Sequence, residues 1–104
     1  MENTLNNYSI ALYPSAISDL DNIYSYICNE ILEPSVAKSQ IDRIWNAIKS
    51  LNSFPYAHQD RLVGRYANKG YKQLLVDDYI VIYKINEDIK TVYIVVINYC
   101  GKSI

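Results

Sequence analysis

The sequence predicts an α+β fold in which a helical hairpin packs on a mainly antiparallel four-stranded sheet, with the element order β-α-α-β-β-β. One short β-type run is followed by two stretches with apolar residues at helical spacing, and three more β-type runs follow them. Glycine and proline are scarce, at three each among 104 residues, so long irregular regions should be few. A chain of this length supports one hydrophobic core, so we assign 1–104 to a single domain with a flexible extension at 1–7.

The first strand and the first helix meet at a proline. The run "YSIALY", residues 8–13, is rich in β-formers and predicts a short strand. After Pro14 and Ser15, apolar residues recur at three- and four-residue spacing, which predicts an amphipathic helix over about 15–31. Proline is tolerated in the first turn of a helix and serine is a good N-cap, so this pair marks the helix start.

A second proline–serine pair, beginning at Pro34, precedes the second helix, which is predicted over about 35–52 and ends before Pro55. Trp45 falls within the apolar spacing of this helix, so we expect it in the core. Because only a few residues join the two helices, they should lie antiparallel. Their apolar faces need a cover, and the sheet is the natural one.

The second half of the chain reads as an irregular connection and a three-stranded meander. Residues 53–70 contain the only histidine and two of the three glycines, and a connection of this length is often functional or mobile. Three β-type runs follow, at 71–76, 79–86 and 90–98. Tight turns are predicted at Asp77-Asp78 and at "NEDIK". The last run is the most apolar, so we expect it in the middle of the sheet.

Composition and charge limit the classes of function. No apolar run approaches the roughly 20 residues that span a bilayer, and no secretory leader is visible, so we expect a cytoplasmic protein without membrane contact. A net charge of −1 argues against a general nucleic-acid binder. However, residues 61–72 hold four cations and no acid, whereas residues 1–37 hold five acids and no cation. The basic segment is either a local site that binds an anion or a solvated loop with scattered charges.

Cysteine, histidine and tyrosine content adds further limits. Cys28, Cys100 and the single His58 form no zinc pattern and no CxxC motif, so we expect no metal and no organic cofactor. We interpret the cysteines as unreactive thiols and His58 as a surface side chain. Eleven tyrosines are the unusual feature, because a tyrosine buries its ring while its hydroxyl stays wet. Such side chains suit sheet faces, partner surfaces and base stacking.

Three segments, in order, share their pattern with one family of small bacterial proteins. They are "YSIALYPSAISDLDNIYSYI", "IDRIWNAIKSLNSFP" and "GYKQLLVDDYIVIYKI". The first contains the pattern A-x-x-D-L-x-x-I-x-x-Y-I, starting at Ala16. The third aligns with a strand hairpin of the form G-Y-R-x-L-x-V-x-x-Y-x-I-x-Y-x-I, starting at Gly70. Over about residues 8–103, the chain therefore resembles the RelE/ParE superfamily of toxins, which includes plasmid stabilisation proteins.

This resemblance implies the toxin of a type II toxin–antitoxin system, which arrests growth until a cognate antitoxin protein neutralises it. An open sheet edge and abundant tyrosines would suit an added strand or a docked helix from that antitoxin. RelE-like members cut messenger RNA in the ribosome, whereas ParE-like members act on DNA gyrase. We slightly favour the gyrase target. The alternatives are a ribosome-dependent endoribonuclease and a non-toxic, partner-binding relative.

The ribonuclease alternative predicts a site that can be named. Lys72 and Lys102 would hold the scissile phosphate, and Tyr99 would stack on a base or relay a proton. The nucleic-acid-binding residues that would hold flanking phosphates are Arg61, Arg65 and Lys69.

The sequence departs from the ribonuclease pattern repeatedly: Lys72 stands where the family has arginine, the C-terminal strand lacks most of the family's arginines, and two strand positions carry aliphatic residues. The ribonuclease branch often carries arginine where this chain has Leu75 and Ile80. Arginine suits a phosphorane because its planar, permanently charged group binds phosphate oxygens in pairs. Its replacement by aliphatic side chains favours a toxin that acts by binding.

Overall fold

The computed structural model describes residues 7–101. The strands and helices are β1 (Ser9–Leu12), α1 (Pro14–Tyr26), α2 (Pro34–Lys49), β2 (Lys72–Val76), β3 (Tyr79–Asn86) and β4 (Thr91–Tyr99). The predicted order β-α-α-β-β-β and the α+β class are confirmed. Most of the predicted N-terminal extension at 1–7, and the predicted site residue Lys102, lie outside the described residues.

Both helices begin at their proline, one residue earlier than predicted. In α1 the N-cap is Tyr13, so the expected capping by Ser15 is wrong. Ser15 lies inside the first turn, and its hydroxyl donates instead to the backbone oxygen of Val95, at 2.8 Å. The bond fastens the start of α1 to the sheet.

The ends of the helices depart from regular α geometry. Beyond α1 the chain forms a wider π-helical turn over Ile27–Ile31, and Leu32 ends it with a left-handed backbone at φ 62°. Beyond α2 the chain tightens into a 3-10 turn over Ser50–Asn52. The predicted ranges 15–31 and 35–52 therefore include both kinds of terminal turn.

The sheet has the strand order β1-β4-β3-β2, with β1 parallel to β4 and the other pairs antiparallel. β4 lies between β1 and β3, which confirms the inner position expected from its apolar sequence. The predicted strand ends differ from the observed ones by at most one residue. Ile82 pairs with Val96 and Tyr83 pairs with Ile94, so Val95 is the extra residue of a β-bulge.

The main core lies between the helices and one side of the sheet, here called the helix face. Its fully buried members include Ile44 and Ile48 of α2 and Val81 and Tyr83 of β3. The prediction that Trp45 belongs to the core is wrong, because 39% of its surface is exposed. Ile44 already points at the sheet, and the next residue of a helix is turned about 100° away.

The opposite side of the sheet, here called the open face, carries a second apolar cluster. Ile80, Ile82, Val95 and Val96 are buried there, and three tyrosines pack against them: Tyr13, Tyr66 and Tyr71. No helix in the described part of the chain is long and apolar enough to cross a membrane.

The long irregular connection predicted over 53–70 is present and runs along the outer edge of β2. The backbone N–H of Gln73 donates to the backbone oxygen of Gln59 at 2.9 Å. Asp60 forms an isolated antiparallel β-bridge with Lys72. The buried hydroxyl of Tyr83 donates to the backbone oxygen of Pro55 at 2.7 Å. These bonds hold the connection against the sheet.

Candidate functional site

Lys72, the predicted phosphate-binding residue, is held by its own chain. Its Nζ lies 2.9 Å from Oδ1 of Asp60 and 3.0 Å from the backbone oxygen of His58. Only 17% of the side chain is exposed. Lys72 lies directly opposite Tyr83, so it belongs to the helix face rather than the open face. The ammonium of Lys72 therefore forms an ion pair with Asp60 of the same chain.

Tyr99 lies at the far end of the sheet from Lys72. It pairs with Tyr79 across β3 and β4, and the two rings meet edge to face with centroids 5.8 Å apart. Lys72 pairs with Tyr83, four residues further along β3, which at about 3.3 Å per residue is roughly 13 Å. The structure does not bring Lys72 and Tyr99 together.

The predicted nucleic-acid-binding residues lie in the connection before β2. Nη1 of Arg61 donates to Oε1 of Gln73 at 3.0 Å, and the side chain is half-buried. Arg65 and Lys69 are exposed. His58 is half-buried, with its ring edge-on to that of Tyr83 at 6.5 Å.

The open face offers apolar and aromatic surface where a ribonuclease needs cations. Ile80, at a position where arginine is often found in ribonuclease relatives, is 6% exposed and part of the open-face cluster. Leu75, at the other such position, is 59% exposed. The rings of Tyr66 and Tyr71 meet at 4.9 Å beside this cluster. These residues provide packing surface and no phosphate-binding charge.

One lysine on the open face is surrounded by tyrosines, and we call this arrangement the filled tyrosine box. Nζ of Lys84 lies 5.6 Å from the ring centre of Tyr13, 5.8 Å from that of Tyr71 and 6.0 Å from that of Tyr93. These distances are typical of cation–π contacts. A hydrogen bond with Tyr13 raises the pKa of Lys84, despite the opposing effect of burial. The box borders an open depression of about 640 Å³.

A second tyrosine cluster lies between α1 and the end of β4, and we call it the open tyrosine pocket. Its volume is about 690 Å³, and it is lined by Asp19, Asn22, Ile23, Tyr26, Tyr79, Asn98 and Tyr99. Oδ2 of Asp19 accepts a hydrogen bond from the N–H of Ile97 at 2.9 Å. Burial and the nearby Tyr99, Asp78 and Tyr26 raise the pKa of Tyr79.

A third group of tyrosines surrounds an acid in the β3–β4 turn, and we call it the Glu87 cluster. The carboxylate of Glu87 accepts hydrogen bonds from the hydroxyls of Tyr8 and Tyr56, at 3.0 and 2.7 Å, and from Nζ of Lys90. These hydrogen bonds, of which the one from Lys90 has the largest effect, lower the pKa of Glu87 to about 2. This cluster ties the turn to the start of β1 and to the long connection.

Sequence reasoning missed all three tyrosine clusters. The abundance of tyrosine was visible, but each cluster combines residues from at least two elements that are distant in the chain. Nothing in the spacing of Tyr13, Tyr71 and Tyr93 indicates that they surround Lys84. Among residues 7–101, no group of three or more His, Cys, Asp or Glu side chains is placed to hold a metal ion.

Comparison with known proteins identifies the class and then the family. The observed element order β-α-α-β-β-β is the one that the resemblance to the RelE/ParE superfamily implied. A family model described as the ParE toxin of type II toxin–antitoxin systems, parDE, matches residues 10–102. The chain therefore belongs to the ParE toxin family. No curated protein sequence matches it significantly.

Solved structures from toxin–antitoxin systems share the fold. A chain of the chromosomal ParDE system from P. aeruginosa has a TM-score of 0.75 at 19% identity, covering 90% of this chain and 97% of that one. A chain of the RelBE2 complex from Mycobacterium tuberculosis has a TM-score of 0.64 at 17% identity, covering 97% and 100%. A chain of the archaeal RelE–RelB complex from Pyrococcus horikoshii has a TM-score of 0.61 at 15% identity, covering 93% of this chain and 99% of that one.

Proposed function

We propose that this member of the ParE family is a cytoplasmic toxin that arrests growth by binding DNA gyrase and is neutralised by a cognate antitoxin protein. The observation that carries the choice of gyrase is the separation of Lys72 from Tyr99. An RNA-cleaving site needs cations and a proton-transfer group converging on one phosphate. Here Lys72 is paired with Asp60, roughly 13 Å along the sheet from the register position of Tyr99.

The open face supports the same choice. Its buried side chains are aliphatic, and Lys84 already lies among three tyrosine rings. A surface of this composition suits contact with a protein better than contact with a phosphate backbone. The target would then be recognised by shape and apolar contact.

A ribonuclease remains the second candidate, because two cations and a tyrosine are accessible. Arg65 and Lys69 are exposed in the connection, and Tyr99 is 53% exposed. These residues could hold ribosome-bound RNA even though Lys72 is paired. A non-toxic relative that keeps only partner binding is the third reading, and the apolar residues at the catalytic positions favour it over a ribonuclease.

Controlled expression in bacteria separates the three candidates. A gyrase poison should stop growth, leave messenger RNA intact and induce the DNA-damage response, and the purified full-length protein should inhibit supercoiling by gyrase. New message ends in primer extension, with gyrase unaffected, would show the ribonuclease instead. Normal growth, with the protein shown to be present, would count against the gyrase poison and the ribonuclease and would favour the non-toxic relative.

Two substitutions sharpen this test. Lys72→Met keeps the aliphatic stem and removes the charge, and Tyr99→Phe removes only a hydroxyl. Under the gyrase proposal, both variants should arrest growth as the wild type does. A loss of toxicity in both, at unchanged protein level, would point back to the predicted ribonuclease site.

The antitoxin is part of the proposal, and exposed apolar side chains support it. The tip of the helical hairpin exposes Ile31, Leu32 and Val36, at 51%, 72% and 45%. The long connection covers the outer edge of β2 at the start of that strand. Leu75, near the end of β2, is exposed. Apolar side chains at a sheet edge and a hairpin tip favour a partner that adds a strand or docks a helix. Co-expression with the product of an adjacent small reading frame should restore growth, and the two proteins should co-purify.

A further inference from the structure

The open tyrosine pocket has the chemistry of a cation receptor. The rings of Tyr79 and Tyr99 meet edge to face at 5.8 Å, and Tyr26 lines the same pocket from α1. Tyrosine ring faces are electron-rich and attract cations placed within about 6 Å of their centres. The carboxylate of Asp19 adds a negative charge, and the amides of Asn22 and Asn98 add oxygen acceptors.

The same chain contains a working example of this chemistry. In the filled tyrosine box, three rings lie 5.6 to 6.0 Å from the ammonium of Lys84. The open tyrosine pocket also has three tyrosines, and the carboxylate of Asp19 lines it as well. Its lining, within residues 7–101, includes no lysine or arginine. A cation that enters this pocket would therefore come from another molecule or from outside the described residues.

The pocket favours a guanidinium over an ammonium. Arginine is planar, so it can stack on a tyrosine ring while its five N–H groups reach a carboxylate and amide oxygens. Two of the three rings are well exposed, Tyr26 at 59% and Tyr99 at 53%. A volume of about 690 Å³ holds more than one side chain, so neighbouring residues of a peptide segment fit as well.

We propose that the open tyrosine pocket binds an arginine side chain presented by the antitoxin. This rests on the proposed function for the existence of an antitoxin, and it adds which chemistry the toxin recognises at this place. The acidic character of residues 1–37, which hold five acids and no cation, is complementary to a basic segment of that partner.

The first experiment needs no antitoxin. The full-length protein, with 13C-labelled tyrosine rings, is titrated with N-acetyl-arginine amide and, separately, with N-acetyl-citrulline amide, which has nearly the same shape and no charge. Arginine amide should shift the ring signals of Tyr26, Tyr79 and Tyr99 and should bind several-fold more tightly than citrulline amide. Equal binding of the two, or shifts confined to other tyrosines, would overturn the proposal.

Variants test whether the named residues form the receptor. Removing two rings, in Tyr26→Leu with Tyr99→Leu, should weaken binding of arginine amide roughly tenfold. Asp19→Asn should reduce the preference for arginine over citrulline, while its amide oxygen still accepts the Ile97 N–H. The matched control is Tyr24→Leu, because Tyr24 lies on the same helix, is 43% exposed and does not line the pocket. A loss of binding in the control would contradict the assignment.

The second experiment uses the purified complex with the antitoxin. Each arginine of the antitoxin is replaced by glutamine, and the dissociation constant is measured against wild-type toxin and against Tyr26→Leu. One arginine should lose most of its effect when Tyr26 is already replaced, as a double-mutant cycle requires for a direct contact. Additive effects at every arginine would overturn the proposal but leave the toxin–antitoxin pair intact. A toxin that is not neutralised by any adjacent gene product would instead overturn the proposed function, and with it the identity of the arginine donor.

Discussion

The filled tyrosine box and the open tyrosine pocket place the same kind of side chain in two different roles. In the filled box, Lys84 of β3 lies among the rings of Tyr13, Tyr71 and Tyr93, so the cation and its receptor belong to one chain. In the open pocket, Tyr26, Tyr79 and Tyr99 surround space next to Asp19. We expect the first arrangement to stabilise the fold, whereas the second is the one that we propose to bind a cation from a partner.

The largest effect should come from Asp19, the residue of the open pocket whose carboxylate accepts a hydrogen bond from the backbone of β4. Asp19→Ala removes the acceptor of the Ile97 N–H and should lower the free energy of unfolding by about 1–3 kcal/mol. Urea denaturation followed by circular dichroism measures it. Asp19→Asn keeps an acceptor oxygen and should retain most of the stability. Equal losses in both variants would mean that charge, not hydrogen bonding, matters at this position.

Breaking the filled box should have a smaller effect. Lys84→Met keeps an unbranched side chain and removes the charge, and the lost cation–π contacts should cost about 1 kcal/mol. The same denaturation experiment measures this change. Lys69→Met, at an exposed position in the long connection, is the control and should change stability by less than about 0.5 kcal/mol. An unchanged stability in Lys84→Met would remove the structural role of the box.

Replacing the exposed rings of the open pocket should leave stability almost unchanged. Tyr26→Leu and Tyr99→Leu should each shift the free energy of unfolding by less than about 0.5 kcal/mol, because both rings are more than half exposed. Thermal unfolding in the absence of any partner checks this. A clear loss of stability would show that the open pocket, like the filled box, belongs to the scaffold.

In the Glu87 cluster the hydroxyls of Tyr8 and Tyr56 bind a carboxylate, whereas in the filled box three ring faces surround an ammonium. The pKa of Glu87 is lowered from 4.5 to about 2, so its contribution to stability is present above pH 4.5 and disappears as the pH falls towards 2. Denaturation midpoints measured between pH 6 and 2 should therefore fall less steeply in Glu87→Gln than in the wild type. Parallel curves would show that the contacts of Glu87 do not persist in solution.

Elements with strong local signals were predictable, and the candidate site was not. Pro14, Pro34 and the apolar spacing gave both helices to within a residue at their starts, and strand ends were predicted equally well. The aliphatic replacements at Leu75 and Ile80 already weakened the ribonuclease reading. The misplacement of Trp45 has a local cause, because apolar spacing does not reveal which of two adjacent apolar residues, Ile44 or Trp45, faces the sheet.

By itself, the sequence determined the order of elements, the inner position of β4 and the resemblance to a toxin family, because these depend on local propensity and on patterns along one segment. Only the tertiary structure decided which tyrosines share a cluster and that Lys72 pairs with Asp60 far from Tyr99. Those relations depend on strand register and on the packing of α1 against β4. Residues that become neighbours in this way come from distant segments, and no fixed spacing along the chain reveals that they will meet.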